Sequence, residues 1–94
     1  MERKVLHHFF RAIREDNRIG TSHISLYVAL VELWGRKNFE EPLSITRQQV
    51  METSKISGLA TYHKCIRDLS AYGYLRYEPS YNPSIQSKVL FPCK

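Results

Sequence analysis

Between Ser57 and Arg67 the chain carries Ala60, Thr61, His63, Lys64 and Arg67, a set of small, hydrogen-bonding and cationic side chains that helical spacing turns outward. An α-helix fits the major groove of B-DNA, where each base pair shows its own donor and acceptor pattern. A helix that reads those edges needs small residues for close approach and cations to hold phosphates. Ala60 and Thr61 supply methyl groups suited to the thymine methyl, His63 donates or accepts, and Lys64 and Arg67 reach guanine or phosphate. Ser57, at the start of the helix, offers a hydroxyl and a backbone N–H to a phosphate. Arg47 and Gln48 fall in the first turn of the preceding helix, the element that crosses the DNA backbone in such motifs. A downstream hairpin adds Arg76, Tyr81, Asn82, Ser84, Gln86 and Lys88, suited to backbone or minor-groove positioning because its tip holds no Arg or Lys. Together these residues imply about four to six neutralised phosphates per protomer and a modest salt dependence.

The same residues have plainer readings. Lys64 and Arg67 also fit a solvated helix face, and Asp68 stands at i, i+4 from Lys64, a pair worth a few tenths of a kcal/mol. Tyr62 belongs to the core, and His63 has the alternative of packing against the hairpin. Tyr72, Tyr74, Tyr77 and Tyr81 suggest stacking on single-stranded bases, but alternation places some of them in sheet and core. Metal chemistry is not expected. His63 and Cys65 point to different helix faces, and His7 and His8 have no acidic or thiol partner nearby in sequence, whereas a tetrahedral site needs three or four converging ligands. No glycine-rich phosphate loop, nucleophile motif or carboxylate pair occurs, so neither an enzyme nor a cofactor is expected.

Composition agrees with an acidic partner. The 94 residues carry a net charge of +5 at a pI near 9.4. Residues 1–43 hold seven Lys/Arg against six Asp/Glu, and residues 44–94 hold seven against three, so the excess lies in the second half. The length suits one domain over 1–94, with a helical part at 1–43 and the DNA-reading unit at 44–94. Two well-separated cysteines, Cys65 and Cys93, imply a reducing cytoplasm. The longest apolar stretch, Ile24 to Trp34, is broken by Ser25 and Glu32 and is too short to span a bilayer. A soluble, cytoplasmic protein follows, with double-stranded DNA as partner and neither membrane nor small-molecule ligand.

These side chains need elements to hold them. Val5, Leu6, Phe9, Phe10 and Ile13 form one stripe of a first helix over about 2–17, stopped by Asn17 and Gly20. A second helix starts near Thr21 or Ser22. Ile24, Tyr27, Val28, Val31 and Trp34 share one face, Leu26, Leu30 and Leu33 an adjoining one, and only Ser25, Glu32 and Arg36 form a polar strip. An arc that wide belongs to a central helix or to half of a dimer interface, which would be built from Leu26, Leu30, Leu33 and Phe10. Leu43–Ile45 suits a minimal strand, and Thr46 with Gln49 forms a capping box for a third helix. Residues 54–57 form a turn, a fourth helix runs from about 58 to 72, and Gly73 stops it. Residues 74–78 and 88–91 then make a hairpin, giving a mainly α fold with a small β-wing.

From Ile45 to Phe91 the chain resembles the bacterial winged helix-turn-helix superfamily. The resemblance rests on Ile45-Thr46, Val50-Met51, Ile56-Ser57, Thr61-Tyr62, Leu69 and Gly73-Tyr74-Leu75. In pattern it is similar to MarR-like regulators and to the N-terminal domains of phage replisome organisers and DnaD-like replication proteins. Ala60-Thr61-Tyr62-His63-Lys64-Cys65 and Pro79-Ser80-Tyr81-Asn82-Pro83 also look like small proteins of bacterial mobile elements. The resemblance implies a winged helix-turn-helix with two extra N-terminal helices, acting as a homodimeric transcriptional regulator. It equally fits a replication or excision accessory protein of a mobile element, or a protein-interaction module on the same scaffold. Lys55 departs from the pattern, because glycine usually holds that turn position. A longer or differently shaped turn would change the tilt of the reading helix.

Overall fold

The computed structural model describes residues 2–82 and 84–92, with backbone only at residues 2 and 3. Pro83 and Cys93 therefore lie outside the described residues. The fold is α+β and mainly helical. In chain order it runs α1 (Glu2–Ile13), α2 (Thr21–Arg36), β1 (Leu43–Ile45), α3 (Arg47–Ser54), α4 (Leu59–Ala71), β2 (Arg76–Glu78) and β3 (Ser87–Leu90). The strands form one antiparallel sheet in the order β1-β3-β2.

Except at Val28, 37% exposed, and the half-buried Ile24, the wide apolar arc of α2 is covered inside a single chain. α2 packs on α1, α3 and α4. Leu26, Leu30 and Leu33 are at most 2% exposed, and Trp34 and Tyr27 are among the largest buried side chains. This corrects the expectation that Leu26, Leu30 and Leu33 face a second copy, and it makes α2 a core helix. Even the polar strip is used: the Ser25 hydroxyl donates to the Ser54 carbonyl at the end of α3. Aromatic rings extend the core at both ends. Phe9 stacks on Tyr27 at 3.8 Å, and Trp34 stacks on Phe91 at 4.4 Å. Of the four residues expected at a dimer interface, Phe10 alone reaches solvent, at 44% exposure.

α1 ends at Ile13, four residues short of expectation, because Asp16 organises a turn. Its carboxylate accepts from the Arg18 N–H at 3.1 Å, from the Arg18 guanidinium at 2.8 Å and from the Tyr74 hydroxyl at 2.6 Å. Short acidic side chains that bond backbone N–H groups two residues on compete with helix in this way. The Arg18 guanidinium also lies 3.8 Å from the Tyr72 ring centroid. The α1–α2 corner is thereby fastened to the residues that follow α4.

β2 likewise starts two residues later than expected. Gly73, at φ +87°, closes α4 with its N–H returning to Ser70 O, while Tyr74 N–H returns to Leu69 O at 2.9 Å. That Schellman closure occupies the Tyr74 amide and keeps it out of the ladder. The sheet has two sides. Leu43, Val89 and Tyr77 are in register on the inner side, against the helices, and Ser44, Lys88 and Glu78 are in register on the outer side. Both free edges carry side-chain caps, since Tyr77 N–H donates to Ser70 Oγ at 3.1 Å and Lys37 Nζ donates to Ser44 O at 3.0 Å.

Because α2 is interior to one chain, Leu30→Ala should cost about 3–5 kcal/mol. In urea titrations the drop in midpoint relative to wild type should be the same over about a hundredfold range of protein concentration, whereas loss of a dimer contact would make that drop depend on concentration.

Candidate nucleic-acid interface

α3 is set by its first residue. Thr46 Oγ1 accepts from Gln49 N–H at 3.2 Å, which caps the helix as its spacing foretells. Arg47 and Gln48 then stand exposed in the first turn, with Gln48 Nε2 donating to Glu52 at 3.4 Å. The helix ends at Lys55, held at φ +64° and ψ +22°, and Ile56 N–H returns to Met51 O at 3.2 Å. The turn therefore keeps the standard left-handed geometry although lysine occupies it. The strain is local, about 1–2 kcal/mol for an L-residue in that region.

That geometry turns Lys55 outward beside Arg47, Gln48, Met51, Glu52, Ile56 and Ser57. These residues line an open depression of about 670 Å³ between α3 and the start of α4. Gly58 caps α4 without a side-chain hydrogen bond, and Thr61 sits over it, leaving the first-turn N–H groups of α4 without a side-chain acceptor.

Along α4 the buried side carries Tyr62, Cys65, Ile66 and Leu69, while Ala60, Thr61, Lys64 and Arg67 are exposed. His63 is half-buried, its ring 5.2 Å from that of Tyr62. Burial pushes the Tyr62 hydroxyl up to about 12. Burial also raises the Cys65 thiol, which is a core group here.

Lys64 is not free. Its ammonium donates to Asp68 Oδ2 at 2.8 Å, and His23 Nε2 meets the same oxygen at 2.9 Å. Because His23 Nδ1 accepts from the Gly20 N–H at 3.0 Å, the neutral ring carries its proton on Nε2 and donates to Asp68. Lys64, then His23, hold the Asp68 carboxyl below the usual carboxylate range. One carboxylate thus ties the start of α2 to the exposed side of α4.

The hairpin side chains divide. Arg76 and Lys88 lie on the outer side of the sheet, away from α4, which packs against β2. Arg76 pairs with Glu78 at 3.1 Å, and Lys88 Nζ donates to Ser44 Oγ at 2.9 Å. Asn82 and Ser84 build the loop: Asn82 Oδ1 accepts from the Ser84 N–H at 3.0 Å and its hydroxyl at 2.8 Å. Tyr81 projects from that loop, 89% exposed, with Ile85 at 54%. The structure therefore gathers Arg47, Gln48 and Ser57 around the α3–α4 turn and Ala60, Thr61, His63, Lys64 and Arg67 along α4. It sets Arg76 and Lys88 apart from them.

Two residues at this surface escaped the sequence reading, Lys55 as a projecting cation and Leu59, 46% exposed at the start of α4. The unusual lysine at a glycine position was the available signal for the first. No protein-family model, curated protein or solved structure matches this chain.

Lys55→Gly should raise stability by about 0.5–1 kcal/mol, the relief of left-handed strain exceeding the added entropy of the unfolded chain; urea midpoints at constant slope measure it. A second outcome concerns acid. Arg18 and then Tyr74 hold the Asp16 carboxyl far below the usual carboxylate range, and Asp68 is lowered as described. Groups depressed in the folded state stabilise it above their unfolded pKa and lose that stability as pH falls through the folded one. The melting temperature should fall between about pH 5 and pH 2, and Asp16→Asn with Asp68→Asn should flatten that limb.

Proposed function

We propose that the protein binds double-stranded DNA, laying α4 in the major groove with the α3 N-terminus and the α3–α4 turn against the backbone, and acts as a small transcriptional regulator. The observation that carries this reading is the set of free cations at this surface, Arg47 and Lys55 on the depression beside α3 and Arg67 further along α4. Among the described residues none of the three has a carboxylate within ion-pair distance, and all three are exposed around the two helices. Unneutralised cations beside a small-residue helix face suit phosphate positioning with base-edge approach.

The element order α2-β1-α3-α4-β2-β3 with sheet order β1-β3-β2 further supports the winged helix-turn-helix reading. In that arrangement the hairpin loop meets DNA through Tyr81, while Asn82 and Ser84 stiffen it and Arg76 and Lys88 stay behind. A homodimer remains part of this proposal, with Phe10 as the surviving member of the expected interface. The interaction-module alternative loses most of its motive, since Val28 is the one exposed residue of the apolar arc of α2.

Fluorescence anisotropy on a mixed-sequence duplex should give a log–log salt slope of about −3 or steeper, one phosphate for each of Arg47, Lys55 and Arg67. Arg67→Ala should weaken binding by about 1–3 kcal/mol if it meets a base, or cut the slope by about one if it meets phosphate. Lys64→Ala should do less, because Asp68 already holds that ammonium. Binding that ignores salt, or none at all, rules the reading out.

A further inference from the structure

The described cations sort cleanly by what they touch. Arg18, Arg36, Lys64 and Arg76 each pair with a carboxylate at 2.8–3.1 Å. Lys37 and Lys88 donate to Ser44. Six remain without such a partner among the described residues. Arg47, Lys55 and Arg67 belong to the interface already described, and the other three are Lys4, Arg11 and Arg14 on and just past α1.

On α1 the arrangement is ordered. Lys4, His7, His8 and Arg11 stand at i, i+3, i+4 and i+7, within about 100° of arc, and all are exposed. Val5 and Phe9 occupy the far side and are at most 2% exposed. Arg14 is exposed one residue beyond the helix end, and Glu15 beside it makes no ion pair among the described residues. From Lys4 to Arg11 the helix rises about 10 Å, the axial length of about three phosphates on one strand. Most of the apolar side of α1 is spent on α2, and Phe10 at the margin of the ridge is the one large apolar side chain exposed among the described residues of the helix, too little for stable insertion into a lipid surface; the ridge itself offers charge and imidazole donors. The C-terminal end of the ridge lies towards the C-terminal end of α4, since Asp16, two residues past Arg14, is bonded to Tyr74, three residues past α4.

We infer that the outward face of α1 is a second phosphate-binding surface, which grips duplex DNA alongside the α4 contact. The inference takes duplex DNA as partner from the reading above, and adds a place and a charge count that α4 does not supply.

The test is anisotropy of the full chain on a duplex of about 30 bp across a salt series, long enough to offer phosphates outside one groove contact. Three proteins are compared: wild type, Arg67→Ala, and the triple change Lys4→Gln, Arg11→Gln, Arg14→Gln. The substituted side chains of the triple variant are exposed and unpaired, so its thermal melt should match wild type. Its salt slope should shrink by about two to three, with affinity near 0.1 M salt lower by roughly ten- to a hundredfold. An unchanged slope with a weakened Arg67→Ala overturns the α1 surface and leaves the α4 reading standing. A weakened triple variant with an unaffected Arg67→Ala supports α1 and removes α4. Loss of binding to phosphatidylserine vesicles, with the duplex slope unchanged, also overturns the inference, and a wild type that binds no duplex overturns both.

Discussion

The structure depends on covering α2. A helix apolar over most of its circumference has no stable place at a surface, so every other element is obliged to lie against it or against what covers it. α1, α3 and α4 take three sides of it, and the sheet closes the far end through Phe91 and Trp34. The exposed side of α4 is a by-product of that requirement. Once Tyr62, Cys65, Ile66 and Leu69 turn inward, Ala60, Lys64 and Arg67 have nowhere to go but out. The character of this surface is set by the residues that the core does not need.

Electrostatics then divides those leftover residues. Exposed ion pairs add little to stability, about 0–1 kcal/mol each, so the four neutralised surface cations matter more for where they leave the protein uncharged than for holding it together. The outer side of the sheet is one such region, with Arg76 and Lys88 both engaged. Asp68 is a different case, since a single carboxylate serves Lys64 and the largely buried His23. A partner that draws Lys64 away would leave His23 as the remaining donor to that oxygen, so a contact on α4 is felt at the cap of α2.

How much was legible in sequence follows from the range of each interaction. Thr46 with Gln49, Gly73, and the strand at Leu43–Ile45 were readable because caps and stops act within a few residues. The end of α1 was missed because the Asp16 turn is locked by Tyr74, 58 residues away. Periodicity gave the arc of α2 but not its covering, since a pattern of angles carries no information about what lies opposite. The side of the sheet taken by the hairpin cations rests on a different signal. Arg76 alternates with Leu75 and Tyr77, and that alternation already assigned it to the solvent side of the sheet. Lys55 was noticed for its backbone, and its exposure as a cation is the direct result of the conformation it was expected to resist.

The two capped sheet edges carry a consequence for how copies of this protein meet. Strand borders with free amides and carbonyls invite another chain to dock and start a growing stack. Here the Ser70 hydroxyl fills the one border and the Lys37 ammonium the other, each at the middle residue of a three-residue strand. A newcomer would have to break those bonds for the gain of a very short ladder. Self-association through the sheet is disfavoured, and copies crowded side by side have no open strand edge from which to seed a fibre.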